Sequence, residues 1–366
     1  MFKKLALLLS SLMIVPASAV EIYNKDGNRL GVYGKIQASH LISDYANENG
    51  DNTYVRFGLR GETQISPQLT GYGNFQMQFQ ANKYEGEDKH SWTRLAFAGL
   101  NYSSLGSLDY GRNWGIMYDL GAWTDVLPEF GAATIFHTDT YMAQRATNLA
   151  TWRNRDFFGL VDGLDVALQY QGKNSGTEGE NTTNNSRILQ KQNGDGYGMS
   201  MTYDFDFGLS LGGVYTHANR TGEQRHYGNH VATGPYAESF VVSAKYRLDG
   251  LYLAALYGET SNMTSFGSGV NIANKVHATE LVAKYRFSNG FEPSVGYLQS
   301  KGKDLSGYRG DHDLLQFINL GAMYYFNDTL AAYANYKINL LDRDDFTMAT
   351  KLNTDDTIVF GFVYQL

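Results

Sequence analysis

The stretch Gln68–Gln80, QLTGYGNFQMQFQ, alternates between two kinds of side chain along its whole length. One set of alternate positions is apolar or glycine: Leu69, Gly71, Gly73, Phe75, Met77 and Phe79. The positions between them carry Gln, Thr, Tyr and Asn. Because successive side chains of a β-strand point to opposite faces, the stretch predicts a strand with one apolar and one polar face.

The same period of two recurs in Leu30–Ile42, in Tyr54–Gln64 and at the C-terminus. The C-terminal apolar face consists of Ile358, Phe360, Phe362, Tyr364 and Leu366. A soluble β-sandwich also alternates, but its inner faces meet in a dry core, and these polar faces are too polar for that. Aromatic residues also cluster near strand ends, as in Met323–Phe326. We therefore favour a transmembrane barrel, in which the apolar face meets lipid and the polar face lines water.

The connections between the predicted strands fall into two size classes that alternate along the chain. Seven short ones lie near Ser66-Pro67, Ser103–Gly106, Val161–Gly163, Asp204–Phe207, Leu248–Gly250, Ser288–Gly290 and Asn327–Thr329. Eight long polar ones lie near residues 43–53, 82–91, 114–143, 173–195, 218–237, 261–276, 302–313 and 341–356. Fifteen connections join sixteen strands. The predicted fold is therefore all-β, a 16-stranded antiparallel transmembrane β-barrel, wide enough to leave an aqueous channel.

The N-terminus has the layout of a secretory signal peptide. Lys3 and Lys4 precede an apolar run, Leu5–Val15, and Pro16–Ala19 offers a small-x-small cleavage site. We assign residues 1–19 to the signal peptide and residues 20–366 to the barrel domain. Export combined with a barrel predicts the outer membrane of a Gram-negative bacterium.

The composition excludes several other classes of protein. Of the 30 Lys and Arg, 28 remain without Lys3 and Lys4, against 37 Asp and Glu, a net charge of −9 that argues against nucleic-acid binding. The chain has no cysteine, so no disulfides stabilise it. No Gly-x-Ser-x-Gly or His-Glu-x-x-His motif occurs, and the eight His residues lack metal-ligand spacing. We expect no catalytic residue, no cofactor and no metal.

The third long connection, residues 114–143, is unlike the others because it also carries many large apolar side chains. It holds Trp114, Met117, Tyr118, Leu120, Trp123, Val126, Leu127, Phe130, Ile135 and Phe136. Loops of this length are usually functional, and an apolar one needs a surface to pack against. The inner wall of a water-filled barrel offers that surface. We expect the loop to fold inward and to bring Asp119, Asp125, Glu129 and Asp139 into the lumen.

Several motifs resemble the trimeric general porins of enteric Gram-negative bacteria over nearly all of the mature chain. They are Glu21–Asn28, Tyr33–Lys35, Gly61–Ile65, Thr93–Leu100, Asp109–Asn113, Pro128–Gly131 and Asp156–Leu164. The resemblance implies a passive channel for small hydrophilic solutes and ions. It also implies a third loop that forms a charged constriction.

The resemblance assigns roles to individual residues. It places the acidic side of the constriction at Asp125 and Glu129. The basic side falls on Lys35, Arg56, Arg94 and Arg145. Lys35 and Arg56 also lie on the polar faces derived from the period of two, and Arg94 should point inward because it lies opposite Thr93, Leu95 and Phe97.

The resemblance also implies partners. It predicts a homotrimer latched by the second loop, with Glu85 as the latch carboxylate and Arg112 as its partner in a neighbouring subunit. Outer-membrane lipid, lipopolysaccharide and the barrel-assembly machinery are the other expected partners. The net charge and the acidic loop predict a weak preference for cations.

The chain departs from the family pattern at two places. Gly131-Ala132-Ala133 stands where the family commonly has Gly-Gly-Asp, so one carboxylate is missing and the loop can bend differently. Leu366 stands where the family normally ends in Phe, which predicts slower assembly. A sugar- or phosphate-specific channel stays open as an alternative, since Trp114, Tyr118 and Trp123 could guide a sugar. Gln144, where phosphate channels should have Lys, argues against anion preference.

Overall fold

The computed structural model describes residues 19–87, 90–176 and 186–366. The predicted signal peptide lies outside the described residues except for Ala19.

Within these described ranges, eighteen strands, all in antiparallel pairs, form one sheet. Those in the first half of the chain are β1 Val20–Lys25, β2 Asn28–Ile42, β3 Gly50–Asp51, β4 Tyr54–Ser66, β5 Leu69–Gln80, β6 Ser91–Tyr102, β7 Gly106–Trp114, β8 Arg145–Asn154 and β9 Leu164–Gln171. Those in the second half are β10 Gly196–Asp204, β11 Leu209–Asn219, β12 Tyr236–Leu248, β13 Leu251–Ser261, β14 Lys275–Tyr285, β15 Phe291–Lys303, β16 His312–Tyr325, β17 Leu330–Asn339 and β18 Thr357–Gln365.

Sixteen of these strands close the barrel. β2 and β4 pair directly, each later strand pairs with the next, and β18 pairs back to β2. The two remaining strands are accessory. β3 adds two residues beside β2. β1 pairs with the same edge of β2 as β18 does: β18 ends with Gln365 opposite Lys35, and β1 begins with Val20 opposite Val32. The predicted sixteen-stranded barrel is confirmed, and each of these sixteen strands is paired on both sides.

The alternation of short and long connections is confirmed, but the connection between β8 and β9 is longer than the predicted Val161–Gly163: it covers residues 155–163, because it includes the helical turn Asp156–Gly159. The eight long ones, which we name L1 to L8, cover residues 43–53, 81–90, 115–144, 172–195, 220–235, 262–274, 304–311 and 340–356, and all leave the same end of the barrel. The helical turns are short: Ala46–Glu48, Ser103–Leu105, Tyr118–Gly121, Asp156–Gly159, Leu189–Lys191, Gly222–His226 and Asp345–Thr350. No helix within the described ranges is long and apolar enough to cross a membrane.

The alternation of side chains decides which face of the wall meets which solvent. The C-terminal strand exposes Phe360 and Phe362 outward, at 54% and 57% of their full surface. On β5 the polar positions point inward, where Gln76 and Gln78 accept hydrogen bonds from Arg94. The barrel thus has an apolar outer wall and a polar lumen, as a barrel that spans lipid around water requires.

Candidate functional site

L3 lies inside the barrel, as predicted. Ile116, Met117, Leu120 and Met142 are fully buried, and they belong to a core that L3 shares with inward residues of the wall. Burying large apolar side chains stabilises the loop by about 1.5–3 kcal/mol each. The main core of this molecule is therefore the contact between L3 and the wall.

Glycines of the inner wall make room for the apolar side chains of L3. A Cβ atom on Gly212 would lie 2.3 Å from Cδ2 of Leu120, and one on Gly258 would lie 2.6 Å from Cδ1 of Ile135. Neither distance is compatible with van der Waals packing. These two glycines are sockets for the loop, a role that the sequence pattern did not reveal.

Glu280 of β14 anchors the middle of L3 from the wall. Its carboxylate is fully buried and accepts hydrogen bonds from the hydroxyl of Thr124, from Oγ1 of Thr134 at 2.6 Å and from the Thr134 backbone N–H at 3.3 Å. A buried carboxylate is tolerated only when such donors surround it. Sequence reasoning missed Glu280. Its position between the apolar inward residues Ala278 and Val282 of the same strand was the available signal.

Two of the four L3 carboxylates are neutralised by arginines of the wall. Both oxygens of Asp119 accept from Arg153 at 2.8 Å, and Asp119 also accepts from Ser200 at 2.7 Å. Asp139 takes a bidentate pair from Arg112, at 2.5 and 3.0 Å. Bidentate pairs of this kind fix geometry strongly. Asp119 and Asp139 therefore clamp the two ends of the loop.

The other two carboxylates, Asp125 and Glu129, form no ion pair with any described residue. Asp125 accepts a hydrogen bond from the hydroxyl of Tyr118. Glu129 accepts from Nε2 of Gln37 at 2.9 Å and from the hydroxyl of Tyr333 at 3.0 Å. These neutral donors hold the carboxylates in place and leave their charge uncompensated by a contacting cation.

The four predicted basic residues lie together on the inner wall of β2, β4, β6 and β8. Lys35 and Arg56 are direct cross-strand neighbours. They share the ring of Tyr54, which lies 5.3 Å from Nζ of Lys35 and 4.7 Å from the Arg56 guanidinium carbon. Arg145 lies over the ring of Trp114 at 5.1 Å and donates to Thr138 at 3.0 Å. Within the described part of the chain, none of the four is in an ion pair.

Arg94 points inward as predicted, but the prediction from strict alternation with Thr93, Leu95 and Phe97 is wrong about the cause. A β-bulge interrupts the alternation here, because Gln76 is opposite Leu95 whereas Met77 is opposite Thr93. Arg94 is the extra residue. It points inward and donates to Gln76 at 2.7 Å and to Gln78 at 3.3 Å. Bulges re-aim side chains in this way, and strict alternation cannot foresee them.

Gln37 links the basic wall to the acidic loop. Its amide oxygen accepts from Nζ of Lys35 at 2.7 Å and from the Tyr54 hydroxyl at 2.7 Å, while its nitrogen donates to Glu129. The amide thus separates Lys35 from Glu129 and keeps the two charges from closing into a direct ion pair. Sequence reasoning placed Gln37 on the polar face without giving it a role.

The two predicted latch residues lie in different surroundings. Glu85 is exposed on L2 and has no ion pair with a described residue. Arg112 is committed within its own chain, because Nε donates to the Thr93 carbonyl at 2.9 Å and both terminal nitrogens donate to Asp139.

Ala132 has a left-handed backbone conformation, which glycine adopts more easily than alanine. Its φ is +41°, and Phe130 two residues earlier has φ +61°. Non-glycine residues reach this region at a cost of roughly 1–2 kcal/mol. Burial of Ala132 against the loop core offsets that cost.

A closed sixteen-stranded barrel with a polar lumen, an apolar outer wall and a charged loop inside defines a transmembrane channel. Comparisons identify the family: a family model described as Gram-negative porin matches residues 25–366. The chain belongs to this family.

Individual relatives agree with this assignment. The chain is 50% identical to outer membrane porin C of Salmonella typhimurium and 48% identical to outer membrane porin N of Escherichia coli, in each case over 99% of both chains. Among solved structures it resembles Salmonella typhi OmpF in complex with daunomycin, with a TM-score of 0.84 and 43% identity over 94% of this chain and 100% of that one.

The chain is therefore an outer-membrane diffusion channel of a Gram-negative bacterium and not an enzyme. Since short turns of outer-membrane barrels face the periplasm and long loops face outward, L1 to L8 mark the external end.

Proposed function

We propose that L3 and the facing wall form the constriction of a general diffusion pore with a weak preference for cations. Asp125 and Glu129 form its acidic side, and Lys35, Arg56, Arg94 and Arg145 form its basic side. The observation that carries the proposal is that all six charges lack an ion-pair partner among the described residues, while the other two L3 carboxylates are paired.

Separated charges of opposite sign create a field across the lumen. In a narrow passage with low-dielectric walls such a field acts on every solute that passes. Polar solutes can align with the field, whereas bulky apolar solutes have to shed water to enter. This arrangement suits passage by size and polarity and needs no dedicated binding site.

Conductance of the purified full chain in planar bilayers tests the proposal. We expect large ohmic steps in symmetrical salt and, in a salt gradient, a reversal potential of the sign that indicates excess cation flow. A folded barrel without steps would mean that L3 closes the lumen. Steps with a reversal potential of zero or of the opposite sign would overturn the cation preference alone.

A sugar- or phosphate-specific channel is the second candidate, and the aromatic residues of L3 are the relevant observation. Trp114 and Tyr118 are stacked, with ring centres 4.3 Å apart and planes at 8°. Trp123 packs in the loop core and stands 4.6 Å from Nζ of Lys245. These rings pack against protein, which favours the general pore. Liposome-swelling rates would decide: a general pore passes sugars in order of size, and a specific one passes its own sugar out of order.

A homotrimer is the proposed assembly, latched by Glu85 of L2. On the outer face of β5 and β6, the two strands that L2 connects, Gly73, Ala96 and Ala98 are small, which permits close approach of a second barrel. Arg112 can serve the latch only if its guanidinium binds Asp139 and the neighbour's Glu85 at the same time.

Seminative electrophoresis of Glu85→Gln should show a trimer that dissociates at a lower temperature. Glu87→Gln is the matched control, since Glu87 is paired with Lys83 in its own loop. Equal dissociation temperatures would contradict the latch.

Lipopolysaccharide and the barrel-assembly machinery are the other proposed partners. Leu366 closes the barrel, because its backbone N–H donates to the Gly34 carbonyl at 2.9 Å, and its side chain is outward and 39% exposed. An aromatic residue at this position should be recognised better during assembly. Leu366→Phe is expected to raise the outer-membrane yield and the trimer fraction. Equal values for the two chains would contradict the idea.

A further inference from the structure

A second group of cations lines the lumen at the short-turn end, away from the constriction. It consists of Lys245 and Arg247 of β12, Lys284 of β14 and Arg286 directly after β14. Lys245 faces inward, because its ammonium lies 4.6 Å from the Trp123 ring of L3. Lys284 and Arg286 share the face of Glu280, which also contacts L3.

Every one of these cations lies over an aromatic ring. Arg247 and Lys284 flank Tyr252 from the two neighbouring strands, at 5.4 and 5.7 Å from its ring centre, and both are its direct cross-strand partners. Arg286 lies 3.7 Å from the ring centre of Tyr325. We call Lys245, Arg247, Tyr252, Lys284, Arg286 and Tyr325 the vestibule ladder.

The two arginines of the vestibule ladder differ from the two lysines in their charge balance. Lys284 is paired with Glu292 at 3.0 Å, and Lys245 is 3.9 Å from Asp204. Arg247 and Arg286 have no carboxylate within ion-pair distance among the described residues, and both are exposed. Each guanidinium therefore has ring contact on the protein side and free N–H donors on the lumen side.

We propose that the vestibule ladder is an affinity subsite for anionic solutes that carry a planar aromatic ring. A guanidinium stacked on one ring can stack on a second ring with its other face, and its N–H groups can bind a carboxylate in a bidentate way. The solute ring would lie over Arg286 or Arg247, and its carboxylate would reach the neighbouring cation. The inference rests on the open pore proposed above and adds an affinity for one class of solute.

Two dianions of similar length separate this subsite from general charge attraction. Terephthalate is planar and aromatic, whereas trans-1,4-cyclohexanedicarboxylate has the same charges and no π face. Both compounds are added on the short-turn side of oriented bilayers at low ionic strength. Terephthalate should interrupt the current at a concentration about three- to fivefold lower than the cyclohexane compound does, because one exposed cation–π contact contributes a factor of this size. Calorimetric titration of the detergent-solubilised protein should give the same ratio without requiring an open pore.

Arg286→Gln should abolish the difference between the two compounds, and Arg247→Gln should reduce it. The matched control is Arg29→Gln, which removes one inward, exposed positive charge at the same end of the barrel, where no ring contact accompanies it in the described residues. Arg29→Gln should keep the difference.

The outcomes separate the two proposals. Equal affinity for the two dianions, or an equal loss in Arg29→Gln and Arg286→Gln, would overturn the subsite while leaving the pore intact. Absence of conductance together with the expected calorimetric ratio would contradict the open pore and leave the subsite standing.

Discussion

The four carboxylates of L3 belong to one loop but have two different tasks. Asp119 and Asp139 are each gripped by a wall arginine in a bidentate pair. Asp125 and Glu129 are held by neutral donors only. The first two attach the loop, and the second two leave negative charge in the lumen. All four side chains are carboxylates. The role of each therefore depends on the residue that it contacts and not on its own chemical type.

The same contrast holds on the basic side. Arg112 and Arg153 each meet a carboxylate, whereas Arg56, Arg94 and Arg145 meet amides, hydroxyls or rings. The lumen thus contains both signs of charge without neutralising them: the amide of Gln37 stands between Lys35 and Glu129, and the amide oxygen of Gln78 accepts from both Arg56 and Arg94. Each of the following experiments tests one side of this comparison.

The largest expected effect comes from removing an attaching cation. Arg153→Met leaves Asp119 without its pair in a largely buried position, and we expect a loss of about 3 kcal/mol in the free energy of unfolding. Arg145→Met should cost less than about 1 kcal/mol, since Arg145 has no carboxylate partner among the described residues. Denaturant titrations of both variants would measure this. Equal losses would mean that the two classes of arginine are not distinct.

Filling a glycine socket should displace the loop without touching any charge. Gly258→Val puts side-chain atoms where Ile135 packs, and we expect a loss of about 1–3 kcal/mol. The single-channel conductance should change as well, because L3 has to move away from the wall. Gly213→Val on β11, two strands away from Gly258, is the control, since no atom lies within 4 Å of its Cβ position. Similar stability and conductance in both variants would contradict the socket.

Neutralising the two unpaired carboxylates should change selectivity and leave stability nearly intact. Asp125→Asn with Glu129→Gln is expected to lower the cation-to-anion permeability ratio by about twofold per charge removed. The double change Asp119→Asn with Arg153→Gln removes a neutral pair, so it should keep the permeability ratio. Reversal potentials in a salt gradient would show both effects. An unchanged ratio in the first variant would show that Asp125 and Glu129 do not set selectivity.

The smallest expected effect moves one carboxylate without removing it. A Cβ atom on Gly131 would lie 2.4 Å from Oδ1 of Asp125, so Gly131→Ala should push that side chain aside. We expect a change in the permeability ratio below that of Asp125→Asn. Ala132→Gly next to it should leave the ratio unchanged, because it relaxes the positive φ and leaves Asp125 in place. A larger shift in Ala132→Gly than in Gly131→Ala would reverse this interpretation.

By itself the sequence determined the sixteen strands, the face that the side chains take in four of them, the alternation of short and long connections and the inward fold of L3. These features follow from a period of two and from the need of an apolar loop for an apolar surface, both of which are local properties. The period fails where the register between two strands shifts: at the Arg94 bulge, and also between Gln64 and Ser66, between Gly111 and Asn113 and between Ser300 and Lys301.

Only the tertiary structure decided which charges meet. The Asp119–Arg153 pair joins residues 34 positions apart, and the Thr134–Glu280 contact joins residues 146 positions apart. Such distances along the chain carry no signal in spacing. The glycine sockets and the vestibule ladder carry no signal in the spacing either, since each depends on the register between strands and on the position of L3 against the wall. Register and loop position are global properties, because they result from closing the whole barrel around one loop.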